Sequence, residues 1–440
     1  MASGLVRLLT AASVAGLTSI TGVASAQEAP PTLPGQGQAD IDPARRLPPV
    51  RQNEAAATGA PRADCPLAGQ GAITLSAVIA EGATYVSQAE VDAAVADLLN
   101  RELDLAVLCQ ARDRVAQLYA HRGQQLVRVD LPEQRISGGV LRLKVTEGYL
   151  ARTTVEQPHA QGPSAALAAG YLARLEAQRP ADWADVERAF YLIRDIPGAE
   201  VDLRLRRSDA GPGAVEAVAA FHPRRKFDVT LGAQRLGSEE LGETTVFGRL
   251  DANSFTPFGE RTSLVVQSST SGEQLVVQLL EELRVGSSGL VALADVAYGR
   301  SRPAGALEPL EIEGESLVAR LGLRYPVIAG RERAVNVGAR FEAIDQQNDL
   351  GILRGIPGVS PVLFDEQLRV ISADADTRWR PRRAPGFTAS AGVELRKGVE
   401  GLGSSEAGDP ALSRAEGDPA FGVLKAQARL RHQFAPGAGG

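Results

Sequence analysis

The chain has 440 residues, enough for two to four domains. Its net charge of −6 gives no basic footprint of the kind nucleic acid requires, and four scattered histidines with one methionine leave little for metal chemistry. Two cysteines allow one internal disulfide.

Arg7 precedes a run of apolar and small residues from Leu8 to Val23, and Ala24-Ser25-Ala26 forms an A-x-A site before Gln27. This is the pattern of a cleaved secretory signal over 1–26. The run is too weak to hold a bilayer core, which needs about 20 apolar residues, and no later stretch reads as a spanning helix. The mature chain is expected in the periplasm or the outer membrane, where a closed β-barrel is the spanning solution. Residues 27–64 are rich in Pro, Ala, Gln and Gly and poor in large apolar side chains, the composition of a disordered periplasmic linker.

Cys65 opens the first folded unit. Ile73 to Ile79 alternates as a strand. Ser87 with Glu90 makes a capping box for a helix through Val91, Val95, Leu98 and Leu99. Leu103 to Leu108 leads into a second helix with Cys109 at its start, and Val115, Leu118 and Tyr119 share one face of it. Gly123 stands where a helix C-cap is wanted. Leu126–Leu131 and Val140–Val145 alternate with period two, the first ended by Pro132 and the second entered through Ser137-Gly138-Gly139.

The spaced set Leu131-Pro132-Glu133-Gln134, Gly139-Val140-Leu141 and Val145-Thr146-Glu147-Gly148 resembles the end of a POTRA (polypeptide-transport-associated) domain. The form is that of two-partner-secretion transporters, also called haemolysin secretion/activation proteins. The helix here ends Arg122-Gly123-Gln124 where that family has Arg-Gly-Tyr. The resemblance implies an outer-membrane barrel that exports one large, unfolded, haemolysin- or adhesin-like partner. It also implies a plug helix near 27–64, although no amphipathic periodicity appears there. Relatives often carry one cysteine before the first strand and another before the second helix, so a Cys65–Cys109 disulfide is implied. For a loop of about 45 residues it contributes roughly 4 kcal/mol.

The β-α-α-β-β order recurs more loosely over 149–222, a second POTRA domain after the first at 65–148. Its signals are a strand from Ala151 to Glu156, a helix capped by Ser164, another capped by Asp182, and strands Val201–Arg206 and Val215–Phe221 around Gly211-Pro212-Gly213. Strands of this kind expose backbone edges to which an extended client can add. In the first domain that edge is expected around Val115, Leu118, Tyr119, Gln125, Val127, Arg128, Val129 and Asp130, with Gln125, Arg128 and Asp130 the most exposed.

From residue 223 to 440 the helix signal stops. About ten alternating strands read near 227–236, 245–255, 261–271, 274–285, 290–300, 315–327, 333–345, 367–380, 386–397 and 421–434. Each sets an apolar face against one bearing Arg, Glu and Gly, as a lipid-facing wall with a wet lumen would. Tyr325, Phe341, Trp379 and Phe387 are placed near strand ends, where interface girdles lie. The resemblance implies sixteen strands, an Arg-Gly-Tyr-type pore loop and an aromatic last strand. Those are missing, so a C-terminally truncated barrel is expected, with a native short barrel of ten strands as the alternative.

No nucleophile elbow, phosphate loop or metal-ligand spacing is present. No catalytic residue, cofactor or metal is expected, and the chain is not expected to be an enzyme. The expected partners are the unfolded secreted client and outer-membrane lipid, with the barrel monomeric. Insertion of other barrel proteins, or a plain pore, are the alternatives.

Overall fold

The computed structural model describes residues 65–433 apart from 157–162, 177, 223–225, 236, 382–383, 385 and 415–416. The signal and linker readings and the plug lie outside the described residues.

The first domain runs β1 (Ala72–Thr74), β2 (Ala77–Glu81), α1 (Gln88–Val95), β3 (Glu102–Asp104), α2 (Ala106–His121), β4 (Val127–Asp130) and β5 (Val140–Glu147). Its sheet has the order β2-β5-β4, with β2 parallel and β4 antiparallel to β5. The expected single strand over Ile73–Ile79 is two. Ser76 donates its amide to the Gly139 carbonyl at 2.8 Å, and the chain changes partner there, β1 pairing with β3 and β2 with β5. The Ser87–Glu90 capping box is formed. The helix it starts ends at Val95 and tightens into a 3-10 turn over Ala96–Leu98 instead of continuing to Leu99. At the end of α2, Gly123 (φ +77°) donates to the Ala120 carbonyl and Gln124 to that of Tyr119. This is a Schellman cap, in which only glycine adopts the left-handed conformation freely. Both helices pack on one face of the sheet over Val78, Val91, Val95, Val115, Leu141 and Leu143, all fully buried. The Cys65–Cys109 disulfide is formed, with Cα atoms 6.0 Å apart, and ties the start of the domain to α2.

The second domain repeats the plan with β6 (Tyr149–Glu156), α3 (Pro163–Ala173), α4 (Trp183–Arg194), β7 (Glu200–Arg207) and β8 (Ala214–His222), in the sheet order β6-β8-β7. Asp182 caps α4, accepting from the Ala184 amide. Ser164 does not cap α3 but lies inside its first turn, because Pro163 is already helical. A proline suits that position, having no amide to satisfy.

The remainder is one antiparallel meander of ten strands: β9 (Phe227–Gln234), β10 (Thr245–Asn253), β11 (Arg261–Ser269), β12 (Gln274–Val285), β13 (Leu290–Ser301), β14 (Ile312–Ala329), β15 (Arg333–Leu350), β16 (Val362–Trp379), β17 (Phe387–Gly398) and β18 (Gly422–His432). Among the described residues β9 and β18 are its two edges and do not pair. Three strands are longer than the alternation suggests: β14, β15 and β16 have 18 residues each. In β15 the added residues Gln346 to Asp349 are polar on both faces, and in β16 Val362 to Phe364 are apolar on both faces and Asp365 and Glu366 polar on both, so neither addition carries a period-two signal although both pair with their neighbours. Phe341 consequently sits in the middle of β15, not near an end.

Candidate functional site

The motif of the first domain proves to be scaffold. Pro132 ends β4, and the Gln134 side chain takes over the next ladder position. Its carboxamide donates to the Arg142 carbonyl at 2.7 Å and accepts from the Arg142 amide at 2.9 Å. Glu147 gathers the Thr84 amide (2.8 Å), the Tyr85 amide (2.8 Å), the Thr84 hydroxyl and the Tyr119 hydroxyl (2.7 Å). Burial pushes the Glu147 carboxyl up, but these donors outweigh it and hold the group below its ordinary value. Burial first, then the same contact, pushes the Tyr119 hydroxyl above its usual range. A Cβ on Gly148 would stand 2.3 Å from the Leu126 carbonyl oxygen, and one on Gly139 (φ +73°) 2.8 Å from that of Thr74. Gln134, Gly139, Glu147 and Gly148 thus each close a joint between β5 and the segments around it.

The residues expected to form a client edge are brought together at the α2–β4 side. Val115 and Tyr119 are core, Leu118 is half-buried against it, and Val129 is buried while Val127 is half-buried. Gln125 and Arg128 are exposed, and Asp130 is half-buried in an ion pair with Arg128 at 2.7 Å. β4 is the outer strand of its sheet, and among the described residues no strand pairs with its far edge. The Leu126 carbonyl accepts from the Gly148 amide, which puts Leu126 in a hydrogen-bonded pair with Gly148. Antiparallel alternation then turns the amide and carbonyl of Val127 away from β5, toward that edge.

The large sheet separates two surfaces. Leu231 (79% exposed), Leu321 (63%) and Leu430 (74%) belong to a continuous apolar face. One register row on it passes through Phe227, Ala252, Thr262, Glu281, Ala294, Leu321, Phe341, Ile371 and Lys397. At a strand tilt of about 40°, with about 4.8 Å between strands and about 3.4 Å per residue, a row climbs about 3 Å per strand and a strand about 2.6 Å per residue. On that scale Phe227, Trp379, Phe387 and Tyr325 share one level to within about 5 Å, although they lie on strands far apart. The same face turns charged at Lys397, Arg369, Asp345 and Glu315, about 25–31 Å higher, close to the height of a lipid-facing band. Glu281 interrupts the band and accepts from the Thr262 hydroxyl at 2.6 Å.

The opposite face is a chain of polar contacts. Gln278 reaches Asp295 (2.8 Å), Asp295 pairs with Arg320 (3.0 Å), Arg320 with Glu342 (3.5 Å), and Glu342 with Arg396 (3.1 Å), crossing β12 to β17. Nearer the second domain Arg340 pairs with Asp374 at 3.3 Å.

The second domain seats on the short turns at one end of the sheet. Arg188 of α4 donates to the carbonyls of Ser288 (3.0 Å), Pro326 and Val327 (3.1 Å) and lies 5.2 Å from the Tyr325 ring centroid. Arg284, buried at the end of β12, donates to the Asp195 and Gly259 carbonyls at 3.0 Å each. Ser254 donates to the Pro197 carbonyl at 2.5 Å. Sequence reading did not find these contacts. An arginine on an amphipathic helix looks like a solvated residue until the turns that it caps are brought beside it.

Residues 73–148 match the family described as POTRA domain, ShlB-type. The outer membrane transporter CdiB of Escherichia coli O6:K15:H31 is 26% identical over 201 residues, 46% of this chain and 33% of that protein. Another Escherichia coli CdiB is 37% identical over 83 residues, 19% of this chain and 14% of that protein. The chain thus matches a third or less of the length of these curated relatives. Among solved structures, CdiB from Escherichia coli superimposes with a TM-score of 0.67 at 18% identity, over 86% of this chain and 68% of that one. CdiB from Acinetobacter baumannii gives 0.52 at 13% identity, over 75% and 62%.

Proposed function

We propose that this chain, which carries a ShlB-type POTRA domain and the fold of the two-partner-secretion transporters, works as one: it sits in the outer membrane with both POTRA domains in the periplasm, captures a secreted partner protein in extended form, and passes it along the wet face of its barrel wall. The observation that carries this reading is the two-faced sheet. One face is apolar over about 25 Å, the height of a membrane barrel band. The other bears the ladder from Gln278 to Arg396. A second sheet would cover the apolar face of a soluble protein, and among the described residues none does. Lipid supplies what that face requires.

Capture is assigned to the far edge of β4, where strand addition uses main-chain hydrogen bonds. The test is Val127→Pro. It removes the amide that points to the far edge and leaves the ladder to β5 in place. Pull-down of the secreted partner by the full-length chain should fall by at least tenfold while β5 keeps its hydrogen-exchange protection. Capture at the original level with the domain intact sinks the assignment.

A further inference from the structure

The paired interior of the sheet contrasts with its end beside the second domain. Following the alternation, Arg324 (β14), Arg378 (β16), and Arg429 and Arg431 (β18) lie on the polar face, in the last rows before the short turns. None of the four forms an ion pair among the described residues. Deeper arginines on the same face do: Arg320 with Asp295 and Glu342, Arg340 with Asp374, Arg396 with Glu342. Of the carboxylates near the mouth, Asp195 accepts from Arg284 at 3.4 Å, while Asp376 and Asp228 accept from the neutral side-chain amides of Asn336 at 2.9 Å and Asn253 at 3.0 Å and keep their charge. Arg324 and Arg378 also line a cavity of about 240 Å³ between α4 and the sheet, which Tyr171, Tyr191 and Asn336 share. Four guanidinium groups with no ion-pair partner among the described residues outnumber these two charged aspartates and leave an excess of positive charge at this end of the polar face, in a chain whose net charge is −6.

We infer that this opening, where the second domain meets the sheet, is a binding site for carboxylate-bearing extended peptide: a station that reads acidic segments of the client as they leave the POTRA domains for the wet face. Charge complementarity selects the occupant. A guanidinium presents donors that match a carboxylate in two-point geometry, whereas a basic segment would meet repulsion from the excess of cations. Beyond this level the arginines are already neutralised, so an acidic segment is held at the mouth and released into a balanced interior. The inference rests on the transport reading above and deepens it.

The experiment uses the full-length chain in detergent micelles and a fluorescein-labelled Asp-Ser repeat peptide, with a Lys-Ser peptide of equal length and a DNA oligonucleotide as comparison probes. Anisotropy should show salt-sensitive binding of the acidic peptide alone, weakened about tenfold by the double substitution Arg324→Gln, Arg378→Gln, or about threefold for each charge removed. Lys397→Gln, on the apolar side and distant from the opening, should bind as the parent does. Equal binding of the Lys-Ser peptide, equal binding of DNA, or no change in the double variant overturns the proposal. Circular dichroism of the double variant checks its fold. If it has lost β-structure, Arg324→Lys replaces it, and its retention of charge should keep binding within about threefold. Failure of transport itself reads differently: Val127→Pro would leave acidic-peptide binding here unchanged.

Discussion

Replacing Glu147 by alanine should loosen the whole first domain, because one carboxylate closes three joints. It accepts from the Thr84 and Tyr85 amides, which begin the approach to α1, and from the hydroxyl of Tyr119, a fully buried side chain of α2. Hydrogen bonds to a charged group contribute about 1.5–3 kcal/mol each, and a buried donor left without a partner costs about 1–3 kcal/mol. The two amides lie near the surface and regain water, so most of their share is discounted. The Tyr119 hydroxyl cannot do so. A loss of about 3 kcal/mol follows, or roughly a hundredfold faster opening. Hydrogen exchange of the β5 amides in the full-length chain is the assay. The pH dependence gives a second reading with a definite sign. The folded-state carboxyl is held below its ordinary value, so its contribution is complete above the unfolded value of about 4.3 and is lost as pH falls through the lower folded value. Parent protein should therefore lose β5 protection on acidification below about pH 4, and the alanine variant should lose less. Protection of the variant within threefold of the parent at pH 7 would refute the account of Glu147 as the joint.

Two further outcomes follow from the same geometry. Reducing the Cys65–Cys109 bond, or replacing both cysteines by serine, should cost roughly 4 kcal/mol of first-domain stability by the loop-closure argument, seen as an earlier urea transition followed by proteolysis between α1 and α2, while exchange in β6–β8 stays unchanged. Arg188→Ala should loosen the seat of the second domain on the sheet without unfolding either, with the Arg284 and Ser254 contacts still in place. Losing donors to three carbonyls and the contact with Tyr325 is worth about 2–3 kcal/mol, and a cross-link between α4 and the β14–β15 turn should form several-fold less efficiently.

Period-two and helical patterns in the sequence were enough to locate nearly every element. Phe227, Val229 and Leu231 against Asp228, Thr230 and Gly232 define which face of β9 is apolar, because side chains alternate whatever the strand pairs with. Ser87 with Glu90, Gly123 and Asp182 marked helix ends, since a cap is a local hydrogen bond among residues near in sequence. The cysteine pairing came from resemblance, not from local pattern, and the structure forms it.

Contacts between distant segments were decided only by the tertiary structure. The split at Ser76 depends on Gly139, which is 63 positions away and whose carbonyl competes for the chain there. The polar end of β15, Gln346 to Asp349, is strand because its neighbours pair with it, and no alternation announces it. Glu147 reads as one more strand residue until Tyr119 and Thr84 come to its side, and Gln134 as a loop residue until the Arg142 backbone faces it. The contrast between arginines with and without an ion pair among the described residues needs the register of six strands, which turns a list of charges into a paired interior and a mouth with more arginines than aspartates. A local pattern can specify an element and its wet side; it holds no information about which distant group will stand opposite, and at this site that opposition supplies the chemistry.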